Sequence, residues 1–164
     1  MIRLVLMGVS GCGKSSIGEA LSTRLAIPYV DGDGLHPPAN VEKMRQGVPL
    51  TDDDRWPWLD CVADVLAKRA PVIIGCSALK HVYRDRISRG AVGQVSFVHL
   101  AGSRDLIASR MAARTGHYMP LSLLDSQFAA LEPPGPEEAL TVSIALPVDG
   151  ILARILPVIE GKMG

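Results

Sequence analysis

The 164-residue chain has no excess of charge of either sign: Lys+Arg and Asp+Glu both total 17, for a formal net charge of zero. A nucleic-acid binder normally carries a basic excess or stripe, so that class is set aside. Its three cysteines, Cys12, Cys61 and Cys76, form no C-x-x-C pair. That excludes a disulfide framework or a cysteine zinc site and reads as reduced thiols in a cytoplasmic chain. No apolar stretch reaches the roughly 18 residues of a membrane span, and the N-terminal apolar run is too short for a signal peptide. Internal repeats, low-complexity tracts and linkers are missing too, so one domain over 1–164 is expected, long enough to bury a core. No N-K-x-D guanine-reading motif occurs anywhere, which argues against a GTPase switch.

Against these absences one motif stands out. Gly8-Val9-Ser10-Gly11-Cys12-Gly13-Lys14-Ser15 is G-x-x-x-x-G-K-[ST], the phosphate-binding P-loop. It follows Ile2–Met7, an apolar run of strand length, and precedes a helical pattern in which Ile17, Leu21 and Leu25 share one face. In that setting the backbone N–H groups of residues 8–16, Ser16 included, cradle phosphate oxygens at a helix N-terminus. Lys14 would reach the β- and γ-phosphates of ATP, and the Ser15 hydroxyl would sit on Mg²⁺.

Further strands are expected at 28–30, 71–76, 95–100 and 141–145, alternating with helices over 37–47, from Thr51 through Leu66, over 80–89 and 106–113, and over 149–160 with a break or kink near Pro157. Pro133-Pro134-Gly135-Pro136 reads as a stiff connection into the last strand. Alternation of this kind means an α/β fold, a parallel sheet covered by helices on both faces, with ligands beyond the carboxyl ends of the strands.

Four constellations would converge on that cleft. Asp31-Gly32-Asp33 follows the second strand. One carboxylate can support the Mg²⁺ shell while the other takes a hydroxyl proton, and spacing alone leaves open which does which. His36 is a secondary candidate for hydrogen bonding to substrate. Arg55, one turn into a helix, suits a bidentate contact to an anionic group; Trp56 and Trp58 read as packing. Lys80 and Arg84, four apart after the third strand, would clamp a carboxylate or phosphate from one helical face. Arg110 and Arg114, just before Thr115-Gly116-His117-Tyr118, suit a lid over about 114–124 that closes on the triphosphate and excludes water.

These stretches together resemble bacterial gluconate kinases. The resemblance is carried by residues 6–15, Asp31-Gly32-Asp33 with Leu35-His36-Pro37, Asn40, Glu42-Lys43-Met44, Asp52-Asp53-Asp54-Arg55, Pro57-Trp58-Leu59, Cys76-Ser77-Ala78-Leu79-Lys80, Tyr83-Arg84-Asp85, Arg110 with Arg114, Gly116-His117 and Ser126-Gln127-Phe128. It implies a three-layer αβα fold with a five-stranded parallel sheet, like the nucleoside monophosphate kinases, and often a homodimer. It implies ATP-dependent phosphorylation of D-gluconate at the 6-hydroxyl; related kinases for shikimate or nucleotides share the fold, and a non-enzymatic ATP-binding switch is a more distant alternative. By resemblance, Asp33 is the base and Asp31 lies nearer the metal; Arg55, Lys80 and Arg84 hold substrate; Arg110 and Arg114 serve the nucleotide; and Gln127 is a weaker substrate candidate. Cys12 stands where a small residue such as serine is more usual; a thiol fits there, and an oxidisable site is expected.

Overall fold

The computed structural model describes residues 1–113 and 121–163. Five strands are seen among them: β1 (Arg3–Met7), β2 (Tyr29–Asp31), β3 (Val72–Gly75), β4 (Ser96–Ala101) and β5 (Ala139–Ser143). All pair in parallel, in the order β2-β3-β1-β4-β5. The helices are α1 (Lys14–Leu25), α2 (Pro38–Arg45), α3 (Asp52–Arg69), α4 (His81–Gly90), α5 (Arg104–Ala113), α6 (Leu121–Ala130) and α7 (Val148–Met163).

The pleat of β1 divides the core. Leu4 and Leu6 pack on one face with Ile17 and Leu21 of α1, Ile107 of α5 and Ile155 of α7. Val5 and Met7 pack on the other with Trp58, Leu59 and Leu66 of α3 and Tyr83 and Ile87 of α4. Successive strand residues point to opposite faces, so a strand buried on both sides must be apolar there, as Leu4–Met7 of β1 and all of β3 are. The expected αβα sandwich is therefore present, and none of the described helices is long and apolar enough to cross a membrane.

Two elements differ from the sequence reading. Helix α7 runs unbroken through Pro157, because Ile151, Ile155 and Ile159 keep its inner face buried on either side of the proline. Helix α6 was not anticipated; residues 121–124, expected at the end of the lid, form its first turn and bury Leu123 and Leu124. The remainder of that lid expectation, Arg114 through Pro120, lies outside the described residues.

The order of strands places the carboxyl end of central β1 between β3 and β4, where ligands collect in open parallel sheets. Gly32 comes so close to β3 that a Cβ there would lie 2.2 Å from the Gly75 carbonyl oxygen. This close approach brings the ends of β2 and β3 together beside the P-loop.

Candidate active site

The loop from Gly8 to Gly13 is shaped by its glycines. Gly8 sits at φ +147°, and a Cβ there would meet Cys12 Sγ at 2.7 Å and the Leu100 carbonyl oxygen at 2.9 Å. Gly13 takes the left-handed conformation at φ 99° as the N-cap of α1, with no side chain capping the helix. The first N–H groups of α1 are thus left for a phosphate, as anion sites at helix N-termini require. Val9 and Cys12 turn their side chains into the core, so only their backbones face the ligand side. The Cys12 thiol is packed under Gly8 rather than exposed, which corrects the expectation of an oxidisable loop. Lys14 folds back across the loop, its ammonium donating to the carbonyls of Gly8 (2.8 Å) and Val9 (3.1 Å).

A cavity of about 340 Å³ opens beside the loop. Lys14, Asp33, His36, Arg55, Ser77 and Gln127 all line it. Four of the expected substrate residues and the P-loop lysine are therefore in one place.

The two aspartates at the end of β2 have separate surroundings. Asp31 is the N-cap of the 3-10 turn Gly32–Leu35, and its Oδ1 accepts from the Asp33 N–H at 3.0 Å. Asp33 lines the cavity. Beneath them lies the Tyr29 hydroxyl, buried without a hydrogen-bond partner among the described residues. Burial pushes its pKa up to about 12, with the Ser15 hydroxyl and the Asp31 and Asp33 carboxylates as neighbours. The hydroxyl and carboxylate oxygens of this corner suit a hard cation such as Mg²⁺. Ser15 and the Asp31 oxygen not used by the turn are the groups that would hold it.

His36 stacks on buried Trp58, ring centroids 4.0 Å apart. Asn40, almost fully buried, donates one N–H to the Asp54 carbonyl at 2.8 Å and the other to His36 Nδ1 at 3.2 Å. Nδ1 is then an acceptor, and the neutral ring carries its proton on Nε2. Burial, helped by the positive charge of Arg55, lowers the His36 pKa from 6.5 to about 4. The unfolded chain binds this proton near pH 6.5 while the folded chain resists it down to about pH 4. Stability from His36 is therefore complete above about pH 6.5 and declines as pH falls through the window toward 4. Comparing thermal midpoints at pH 7.5 and pH 5, the wild type is expected to lose about 1–2 kcal/mol more than His36→Gln, after allowance for partial exposure. An equal loss in both would show that His36 is not the group responsible.

Arg55 enters the cavity from the first turn of α3. Thr51 and Asp54 form a reciprocal capping box at that helix start, and Asp54 also pairs with Lys43 at 2.8 Å. Arg55 Nη1 donates to the Leu50 carbonyl (2.6 Å) and the Tyr83 hydroxyl (3.1 Å). Its Nη2 and Nε make no further hydrogen bond among the described residues.

Lys80 and Arg84 do not join this cation. Lys80 is the N-cap of α4, and its ammonium pairs with Asp52 at 3.2 Å outside the cavity lining. Arg84 is buried and donates to the carbonyls of Ala78 (2.8 Å), Leu79 (3.1 Å) and Glu132 (2.9 Å), with its Nε on Glu138. The expected clamp from these two residues is therefore corrected: i, i+4 spacing holds, but one side chain is neutralised and the other ties two loops together. Gln127 lines the cavity yet spends its amide on the P-loop, accepting from the Ser10 N–H at 2.7 Å and donating to Ser10 Oγ at 3.1 Å. Arg110 lies apart from the cavity, donating to the Ile144 carbonyl at 2.7 Å just beyond β5. Its helix flanks the P-loop through Met111 and Ile107, which crowd Gly11.

Tyr83 and Asn40 belong to the stretches that carry the resemblance, but nothing in the sequence assigned either a role at the site. A buried tyrosine leaves no polar signature in sequence, whereas Asn40, one helical turn after His36, left a faint one.

A parallel sheet with a phosphate loop at its central strand, and facing that loop a cavity into which Asp33, His36 and Arg55 project from largely apolar walls, defines a P-loop phosphotransferase for a small acceptor. A family model described as an AAA domain matches residues 4–134. The gluconokinase of Gluconobacter oxydans (strain 621H) is 49% identical over 139 residues, covering 82% of this chain and 78% of that protein. The thermoresistant gluconokinase of Escherichia coli (strain K12) is 42% identical over 163 residues, covering 95% and 92%. The crystal structure of a gluconokinase from Sinorhizobium meliloti 1021 superposes with a TM-score of 0.86 at 49% identity, covering 93% of this chain and 88% of that one. The chain belongs to the gluconokinase family.

Proposed function

We propose that this protein transfers the γ-phosphoryl group of ATP to the 6-hydroxyl of D-gluconate, giving 6-phospho-D-gluconate and ADP. Family membership supports the reaction. The observation that carries the acceptor is Arg55, which lines the same cavity as Lys14 and Asp33 and has no carboxylate partner among the described residues. Lys80 is paired with Asp52, whereas Arg55 forms no ion pair within 4 Å among the described residues and keeps its Nη2/Nε edge for an acid with one negative charge.

Asp33 takes the proton of the acceptor hydroxyl as its oxygen bonds to phosphorus and the bond from phosphorus to the ADP oxygen breaks. Lys14 and the N–H groups of residues 8–16 stabilise charge on the transferring group and on ADP. Mg²⁺ held by Ser15 and Asp31 would neutralise phosphate charge. The Nη2/Nε edge of Arg55 receives the substrate carboxylate, and His36 offers its Nε2 proton to a hydroxyl. Arg110 belongs to the nucleotide side, and Arg114 to a lid that excludes water as a competing acceptor. A cytoplasmic homodimer is part of the same reading, and light scattering of the purified protein measures its assembly.

An acceptor screen tests the reaction. ADP release should rise strongly with gluconate and stay at background with shikimate, AMP or no acceptor; equal release across these arms refutes it. Arg55→Ala should raise the KM for gluconate about 10- to 100-fold, the worth of a charged hydrogen-bonded contact, and leave the KM for ATP near wild type. An unchanged gluconate KM would remove Arg55 from the acceptor site.

A further inference from the structure

We infer that Tyr83 is a positioning residue of the acceptor site, its hydroxyl, oriented by Asp52, holding the Arg55 guanidinium in the attitude that receives the substrate carboxylate. The inference rests on the assignment of Arg55 given above.

Tyr83 lies on α4, with its ring only 1% exposed in the core cluster beneath β1 and β3 and its hydroxyl at the start of α3. It does not line the cavity. Its hydroxyl donates to Asp52 Oδ1 in a short hydrogen bond. Asp52 is held below the usual carboxylate range, first by that hydroxyl and then by the Lys80 ammonium. An ionised carboxylate only accepts, so the Tyr83 proton must point at Asp52 and its lone pairs must point elsewhere. Arg55 Nη1 takes them at 3.1 Å.

The second Nη1 proton of Arg55 goes to the Leu50 carbonyl at 2.6 Å. Both N–H bonds of that nitrogen are therefore committed, and because the guanidinium is planar, fixing one nitrogen fixes the plane of the other two. The edge left over, Nη2 with Nε, has the fork geometry that a carboxylate meets with two parallel hydrogen bonds. The guanidinium carbon also lies 5.3 Å from the Tyr83 ring centroid, a cation–π contact that resists rotation. Lys80 completes the arrangement. Its ammonium pairs with the same Asp52 Oδ1 that accepts from Tyr83, which helps keep that carboxylate ionised and so an acceptor only.

Tyr83→Phe keeps the buried ring and removes only the oxygen. In the purified full chain it should raise the KM for gluconate about 3- to 10-fold, less than loss of Arg55 itself, with kcat and the KM for ATP within about twofold of wild type. In an Arg55→Ala background it should add nothing, because there is no guanidinium left to orient. A merely structural role would move both KM values and would act equally in both backgrounds. An unchanged gluconate KM in Tyr83→Phe, or the same rise with and without Arg55, overturns the inference. If Arg55→Ala alone leaves the gluconate KM unchanged, the carboxylate assignment fails and the inference falls with it. A large Arg55→Ala effect beside a silent Tyr83→Phe sinks the inference alone. Should Tyr83→Phe show a lowered thermal midpoint, Asp52→Ala takes its place, since it removes the acceptor that orients the hydroxyl and leaves the ring. The same selective rise is then expected, and its absence is decisive against Tyr83.

Discussion

Asp33→Asn is expected to lower turnover of ATP and gluconate by about 100- to 10,000-fold while ATP still binds with near wild-type affinity. The substitution removes a proton acceptor from the cavity and leaves the Gly8–Ser15 cradle intact. A coupled assay for ADP measures the first quantity, and calorimetry with ATP in the absence of acceptor measures the second. Asp31→Asn should behave differently. Asp31 caps the turn that carries Asp33, and it is the carboxylate assigned to the metal. Its loss should raise the Mg²⁺ concentration needed for half-maximal rate. If Asp33→Asn retains turnover and Asp31→Asn does not, the two roles are reversed.

Arg84→Met should have the largest effect on stability. The wild-type side chain is only 2% exposed and forms an ion pair with Glu138, itself 20% exposed. It also satisfies three carbonyl oxygens, on Ala78, Leu79 and Glu132. Removing one member of such a pair leaves a partly buried carboxylate and unsatisfied carbonyls, a loss of about 3–5 kcal/mol. For a domain of this length that corresponds to a fall in thermal midpoint of roughly 10 °C. Arg84→Lys should recover little, because an ammonium cannot serve carbonyls and carboxylate from one planar fork. The KM for gluconate of the folded fraction should stay near wild type, the reverse of the pattern expected for Arg55→Ala. A raised gluconate KM with an unchanged thermal midpoint would restore Arg84 to the substrate.

This contrast between two arginines shows where sequence reasoning stops. The P-loop is legible because each of its fixed residues answers to one requirement of backbone or side chain, and β1 and β3 are legible because the doubly covered part of a strand must be apolar. Arg55 was legible because a capped helix start at the cleft leaves its first turn facing the ligand. Arg84 was not. Its partner Glu138 lies 54 residues away in the chain, and spacing within a helix does not say which way a face is turned. Lys80 failed for a related reason: Asp52, which neutralises it, reads on its own as an ordinary acid favouring a helix dipole. Helix α6 was hidden although Leu121, Leu124 and Phe128 stand at i, i+3 and i+7, because its first turn falls in the stretch read as the end of a lid. Gln127, matched by resemblance to the substrate side, is instead hydrogen-bonded to the phosphate loop.

That last pair spans 117 positions. During synthesis the phosphate loop therefore leaves the ribosome 117 residues ahead of the side chain that fastens its Ser10. The Arg84 bracket closes later still, once Glu138 has emerged. The nucleotide site is thus finished long after its motif has emerged, and a nascent chain that stops short of α6 holds the loop's sequence without the loop's fastening.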